Sequence, residues 1–264
     1  MRLMQMLAIV LTELSVGILL MTGLLPPREI RTSFFSFNSL LAAIAAALAL
    51  LMLKFGAGNA WWDVRYLGLT VIGATLAFGL FKLEKTGMAR LCLMLAGLLG
   101  LAFGLMPLAE EMVTLRGLQT TIPLYFDASA VAGAALLGAT TVGMILGHWY
   151  LVMRRLSFDH LELFAKLLLG TAVFRGFVVI VMLGTLKQAD PKLAEVLLPP
   201  LATVSANAFF FLLRLVLGIG GPLALGYMVL RCVREKANQA ATGLLYVAEI
   251  SVLFGELLAA MLLV

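Results

Sequence analysis

An all-α, polytopic membrane bundle of about eight transmembrane helices is what this sequence predicts, and three observations carry that expectation. Apolar residues make up 62% of the chain and charged residues 12%, against roughly 45–50% and about 25% in soluble domains. Mean hydropathy is +1.07. Apolar runs recur throughout the 264 residues, and at ~1.5 Å per residue most are long enough to cross much of the ~30 Å hydrocarbon layer. Residues 1–264 therefore read as a single membrane domain.

The first span is drawn at Leu3–Leu25, closed by Pro26-Pro27. Glu13 interrupts its apolar run and no small-residue cleavage motif precedes the prolines, so it reads as a retained helix rather than a secretory signal. Leu40–Phe55 and Leu67–Phe81 are shorter, separated by Gly56 to Asn59. Leu91–Ala109 contains Gly100 and Gly104, and Ser129–Met153 contains Gly143 and Gly147. Both pairs have the GxxxG spacing that lets helices approach closely. Leu163–Leu186 follows a short polar loop, and Phe209–Cys232 carries Gly218-Ile219-Gly220-Gly221-Pro222, where proline removes a backbone donor and glycine permits local unwinding. Gly243–Leu263 is the last span.

Orientation follows from the distribution of Lys and Arg. With the N-terminus outside, Arg28, Arg31, Lys82, Lys85, Arg90, Arg154, Arg155, Lys166, Arg231, Arg234 and Lys236 fall inside, and Arg2, Lys54, Arg65, Arg116, Lys187 and Lys192 outside. The inner excess places both termini on the outer side, as in a prokaryotic-type inner membrane. Trp61 and Trp62 then belong to the outer aromatic belt, and Phe34, Phe35 and Phe37 anchor the inner interface. The two longest connections, residues 110–127 and 187–206, lie outside and offer a surface to other subunits; Pro191 to Leu198 reads as a short helix within the second. The net charge of +5 is scattered rather than gathered into a stripe, which argues against a nucleic-acid partner. Cys92 and Cys232 lack CxxC spacing and predict neither a disulfide nor a metal site.

Ionisable residues within spans are costly and mark function by default. Glu13, Arg175, Arg214, Glu249 and Glu256 are such residues, with His148 near a span end. Counting along the helices puts Arg214 and Glu256 ~10 Å below the outer surface, Glu13 and Arg175 ~15 Å below it, and Glu249 and His148 ~8–9 Å above the inner surface. This predicts a ladder in which Arg214 pairs with Glu256 and Glu13 with Arg175. Tyr246, Glu249 and Glu256 recur at helical spacing, so they share one face of the last helix and line a polar cavity or proton path. His148, with His160 across the inner loop, supplies the histidines that a haem b would need.

No nucleotide-binding, metalloprotease or hydrolase motif is present, so neither ATP-driven transport nor soluble-enzyme chemistry is expected of the chain alone. In size and span number, with Glu13 in the first span and arginine in later ones, the chain resembles the eight-span quinol-interacting anchors of polysulfide and dimethylsulfoxide reductases. That resemblance implies a helical bundle with a quinone site and soluble partners carrying metal centres. The expected function is a membrane subunit of a respiratory or electron-transfer complex, with a quinone or haem site, a proton path, or both in the last four helices. The alternatives are a small secondary transporter or ion channel, supported by the Gly218 to Pro222 segment and the carboxylates facing it, and a scaffold subunit without chemistry.

Overall fold

The computed structural model describes residues 2–56, 61–108, 123–153, 157–189 and 206–263. Among these, the ordered structure is entirely helical and forms eight long helices: α1 Arg2–Gly23, α2 Thr32–Gly56, α3 Trp61–Lys82, α4 starting at Thr86, α5 Pro123–Val152, α6 Asp159–Ala189, α7 starting at Ala206 and α8 Asn238–Leu263. α4 runs through a π-helical turn, Gly100–Leu105, and α7 through another, Val216–Gly220, before ending at Arg234.

Seven of these helices, all except α3, are long and apolar enough to cross a membrane. In α3 the uncharged stretch between Arg65 and Lys82 is 16 residues, ~24 Å of helix, which is short of the hydrocarbon thickness. The faces turned away from the bundle are apolar: Ile44, Leu48 and Leu51 on α2, Leu91, Leu95 and Leu98 on α4, and Phe177 and Ile180 on α6 are all exposed. Such surfaces are stable against lipid and not against water. The chain is an integral membrane helix bundle.

The helices form two rings of four. α1 packs on α2, α2 on α3, α3 on α4 and α4 on α1; likewise α5 packs on α6, α6 on α7, α7 on α8 and α8 on α5. The rings meet where α1 lies against α5, with α8 touching α1 beside them. At the crossing, the backbones of Gly17 and Gly138 touch, and a Cβ on either would run into the other chain segment. The α5 span is accordingly the most enclosed, 83% buried.

Several sequence expectations shift. α2 begins at Thr32 rather than Leu40, because Asn38 and Ser39 return their side-chain donors to the carbonyls of Phe34 and Phe35 one turn back, at 2.9 and 2.8 Å, and so enter the helix with those donors satisfied. Phe34 and Phe35 are buried rather than anchored in the interface: Phe34 meets Trp149 edge-on and Phe35 stacks on Phe81. Phe37 alone of the three is exposed. The connections expected at 110–127 and 187–206 are partly helical, since α5 starts at Pro123 and α6 extends to Ala189. The short helix at Pro191 to Leu198 and the side chains of Trp61 and Trp62 lie outside the described residues.

The Gly218 to Pro222 segment is not a break. Pro222 has no N–H to offer the carbonyl one turn back, and the ladder adjusts to i→i−5, with the Gly221 N–H bonding the Val216 carbonyl. α4 solves the same problem in the same way: Pro107 follows its π turn by two residues, and the Met106 N–H reaches the Leu101 carbonyl. π-turns of this kind often sit at functional positions. The GxxxG pairs pack as expected. Thr70 and Val16 fill the space over Gly100, and Thr242 and Leu245 the space over Gly147.

Candidate functional site

Four buried charges converge in the half of the bundle nearer the chain termini. Arg175 reaches from α6 to form an ion pair with Glu256 of α8, and both side chains are almost wholly enclosed. Its other terminal nitrogen donates to the Ser129 carbonyl and, at 2.8 Å, to the Ser129 hydroxyl on α5. Glu13, at mid-length in α1, lies across the ring boundary. Its carboxylate rests where Gly133 of α5 has no side chain, so that a Cβ there would come within 2.6 Å of Oε1. The charges of Glu256, Arg175 and Arg214 all act on Glu13. Arg214 is buried on α7, directly before the π turn.

The two levels expected of the ladder are therefore one cluster. Arg175, expected at the depth of Glu13, forms an ion pair with Glu256 and also acts electrostatically on Glu13; a long guanidinium side chain covers more height than one helical turn. Two acids and two bases held within Coulombic reach in hydrocarbon offset each other's desolvation, which an isolated charge could not do.

The π turn of α7 positions this cluster. Gly218 lies against the backbone of Gly255, next to Glu256, an approach that only glycine on both sides allows. The Leu217 carbonyl, released from its regular helical position, accepts a 2.7 Å hydrogen bond from the Ser251 hydroxyl of α8. The partner that the sequence required for a freed carbonyl is thus a side chain of the neighbouring helix.

Glu249 lies two turns back along α8, ~10 Å from Glu256. The Thr141 hydroxyl donates to its Oε1 at 2.8 Å, and the Thr140 hydroxyl lies beside the same carboxyl. Tyr246 follows one turn further, half exposed, with its hydroxyl 3.4 Å from Nδ1 of the exposed His148. Of the three residues expected on one face of the last helix, Glu249 and Glu256 are buried and Tyr246 is exposed. His160 has a different neighbourhood: its Nε2 is 2.8 Å from Glu29 Oε2 in the α1–α2 connection. The two histidines thus have separate hydrogen-bond neighbours, Tyr246 and Glu29.

Ser129, Gly133 and Thr140 belong to the site and were missed. The signal was present in α5, where Ser129, Gly133, Thr140 and His148 recur at intervals that fall near one face. No protein-family model, curated protein or solved structure matches this chain.

Proposed function

We propose that this chain is a proton-carrying membrane subunit of an electron-transfer complex, with the path running through the α5–α8 ring. The observation that carries the reading is the Arg175–Glu256 ion pair with Glu13 and Arg214 in electrostatic reach, continued along α8 by Glu249 and Tyr246. A pair that only fixed helix register would need one acid and one base. Here two carboxylates and two guanidinium groups lie within electrostatic reach of one another. When a proton neutralises Glu256, Glu13 remains beside the guanidinium, so a proton can reside on either acid while the other carboxylate still offsets part of the positive charge of Arg175 and Arg214. The ~10 Å between Glu256 and Glu249 requires bridging water, which such sites routinely hold.

Electron transfer enters through partners. His148 and Tyr246 present two hydrogen-bonding groups to lipid below Glu249, a place suited to a quinone head group, and segments 110–127 and 187–206 would receive soluble subunits. The excess of Lys and Arg on the side of the short connections supports an orientation with both termini outside, in a prokaryotic-type inner membrane.

The deciding experiment is proton uptake into vesicles containing the purified chain, driven by an imposed potential and followed with an enclosed pH dye. Uptake that is abolished by Glu256→Gln, with the protein still inserted, is the expected result; unchanged uptake in that variant removes the proposal. The transporter alternative draws on the π turn against Gly255, beside Glu256, and flux that appears only with a co-transported solute would favour it.

A further inference from the structure

Glu249 sits in different surroundings from the four charges of the cluster. It is 8% exposed, and its Oε2 has no hydrogen-bond partner among the described residues. What acts on it is burial and the two threonine hydroxyls. Charged groups on the helices packed against α8 are otherwise engaged: Glu13 of α1 and Arg214 of α7 belong to the cluster two turns away, as does Glu256 on α8 itself. His148 of α5 lies toward Tyr246, and Tyr227 and Arg231 of α7 face each other on the exposed surface.

The neighbours of the carboxyl bear on what this site can accept. Thr141 gives its proton to Glu249 Oε1 at 2.8 Å. Thr140 gives its own to the backbone, 2.9 Å from the Leu136 carbonyl and 3.0 Å from that of Leu137. Oε2 is left without a hydrogen-bond partner among the described residues, and no cation acts on the carboxyl. One proton on Oε2 removes the charge that burial disfavours, while Thr141 continues to donate to Oε1. An alkali cation would need a fuller oxygen shell than these three side chains provide.

We propose that Glu249, Thr140 and Thr141 form a proton-loading site, distinct from the Arg175–Glu256 cluster, in which Glu249 rests in its acid form and exchanges its proton with the short-connection face by way of Tyr246 and His148. The purpose of the site rests on the proton-carrying reading; its chemistry does not.

The test treats the purified full chain in mild detergent, near neutral pH, with a hydrophobic carbodiimide, and maps the adduct by mass spectrometry. The reagent reports the acid form, because the carboxyl oxygen bonds to the carbodiimide carbon while the carboxyl proton passes to its nitrogen, with no leaving group. Label at Glu249, unaffected by excess sodium and lost in Glu249→Gln, is the expected result. An infrared spectrum, which needs no reagent access, should show a protonated-carboxyl carbonyl band that disappears in Glu249→Gln and shifts in Thr140→Val. Absence of that band, or protection of Glu249 by sodium, overturns the inference. If Glu256→Gln abolishes uptake and the band is absent, the loading site falls and the path stands. If the band is present in a chain that carries no protons, the path falls and the site stands.

Discussion

The two rings are built alike and filled differently. Each closes its four helices in the same order, and each joins its last two with the same tight turn. In the first, Glu84 takes φ 58°, with Lys85 N–H bonding the Leu80 carbonyl at 3.0 Å; in the second, Lys236 takes φ 58°, with Ala237 N–H bonding the Cys232 carbonyl at 2.8 Å. Both ends are of the Schellman type, with a non-glycine residue in the left-handed region. The first ring packs an apolar cluster including Ile9, Ala46, Leu53 and Leu67 with uncharged polar residues such as Ser15, Asn38 and Thr70. The second encloses Arg175, Arg214, Glu249 and Glu256, and the first contributes Glu13 to it across the boundary. A four-helix ring with this turn thus stands without embedded charge, and the charges of the second ring are an addition to the scaffold rather than a requirement of it.

That contrast can be broken most directly at Arg175. Arg175→Leu should cost about 3–5 kcal/mol by stranding the Glu256 carboxylate, read as a loss of thermal stability in detergent, while Arg175→Leu combined with Glu256→Leu should recover most of it. Failure of the double variant to recover would make the charges structural. Next in size, Gly133→Leu should displace Glu13 at a cost of about 1–3 kcal/mol for overpacking and lower proton uptake, although the substitution itself is apolar. Ser251→Ala removes the donor from the Leu217 carbonyl of the π turn and should cost about 1–3 kcal/mol, seen as a lower melting temperature. Thr75→Val in α3 sharpens the comparison from the other side. Its exposed hydroxyl bonds only the Val71 carbonyl of its own helix, at 2.7 Å, so the change should stay within about 0.5 kcal/mol and leave uptake untouched.

Seven of the eight expected spans and the list of embedded charges were legible in the sequence because hydrocarbon admits few alternatives: apolar runs must be helices, and a charge among them stands out. Pairing was not legible. Counting rise along each helix gives depth but neither azimuth nor reach, so the ion pair of Arg175 with Glu256 could not be read from it. The early start of α2 was hidden by Ser36, Asn38 and Ser39, which look like a loop until Asn38 and Ser39 are seen to bond the preceding turn. The glycine contacts that set the architecture, Gly17 with Gly138 and Gly218 with Gly255, join residues far apart in the chain, and no local spacing marks them. The GxxxG pairs do have such a mark, and they were found.

The four cluster charges, Glu13, Glu256, Arg175 and Arg214, sum formally to zero. A voltage across the membrane therefore exerts no net force on the set at rest, whatever its depth. One added proton changes that, because the set then carries a single positive charge on which a full crossing at 100 mV performs about 2.3 kcal/mol of work. The cluster is electrically silent until it is loaded, so its response to membrane potential should reside in proton occupancy and not in the resting protein.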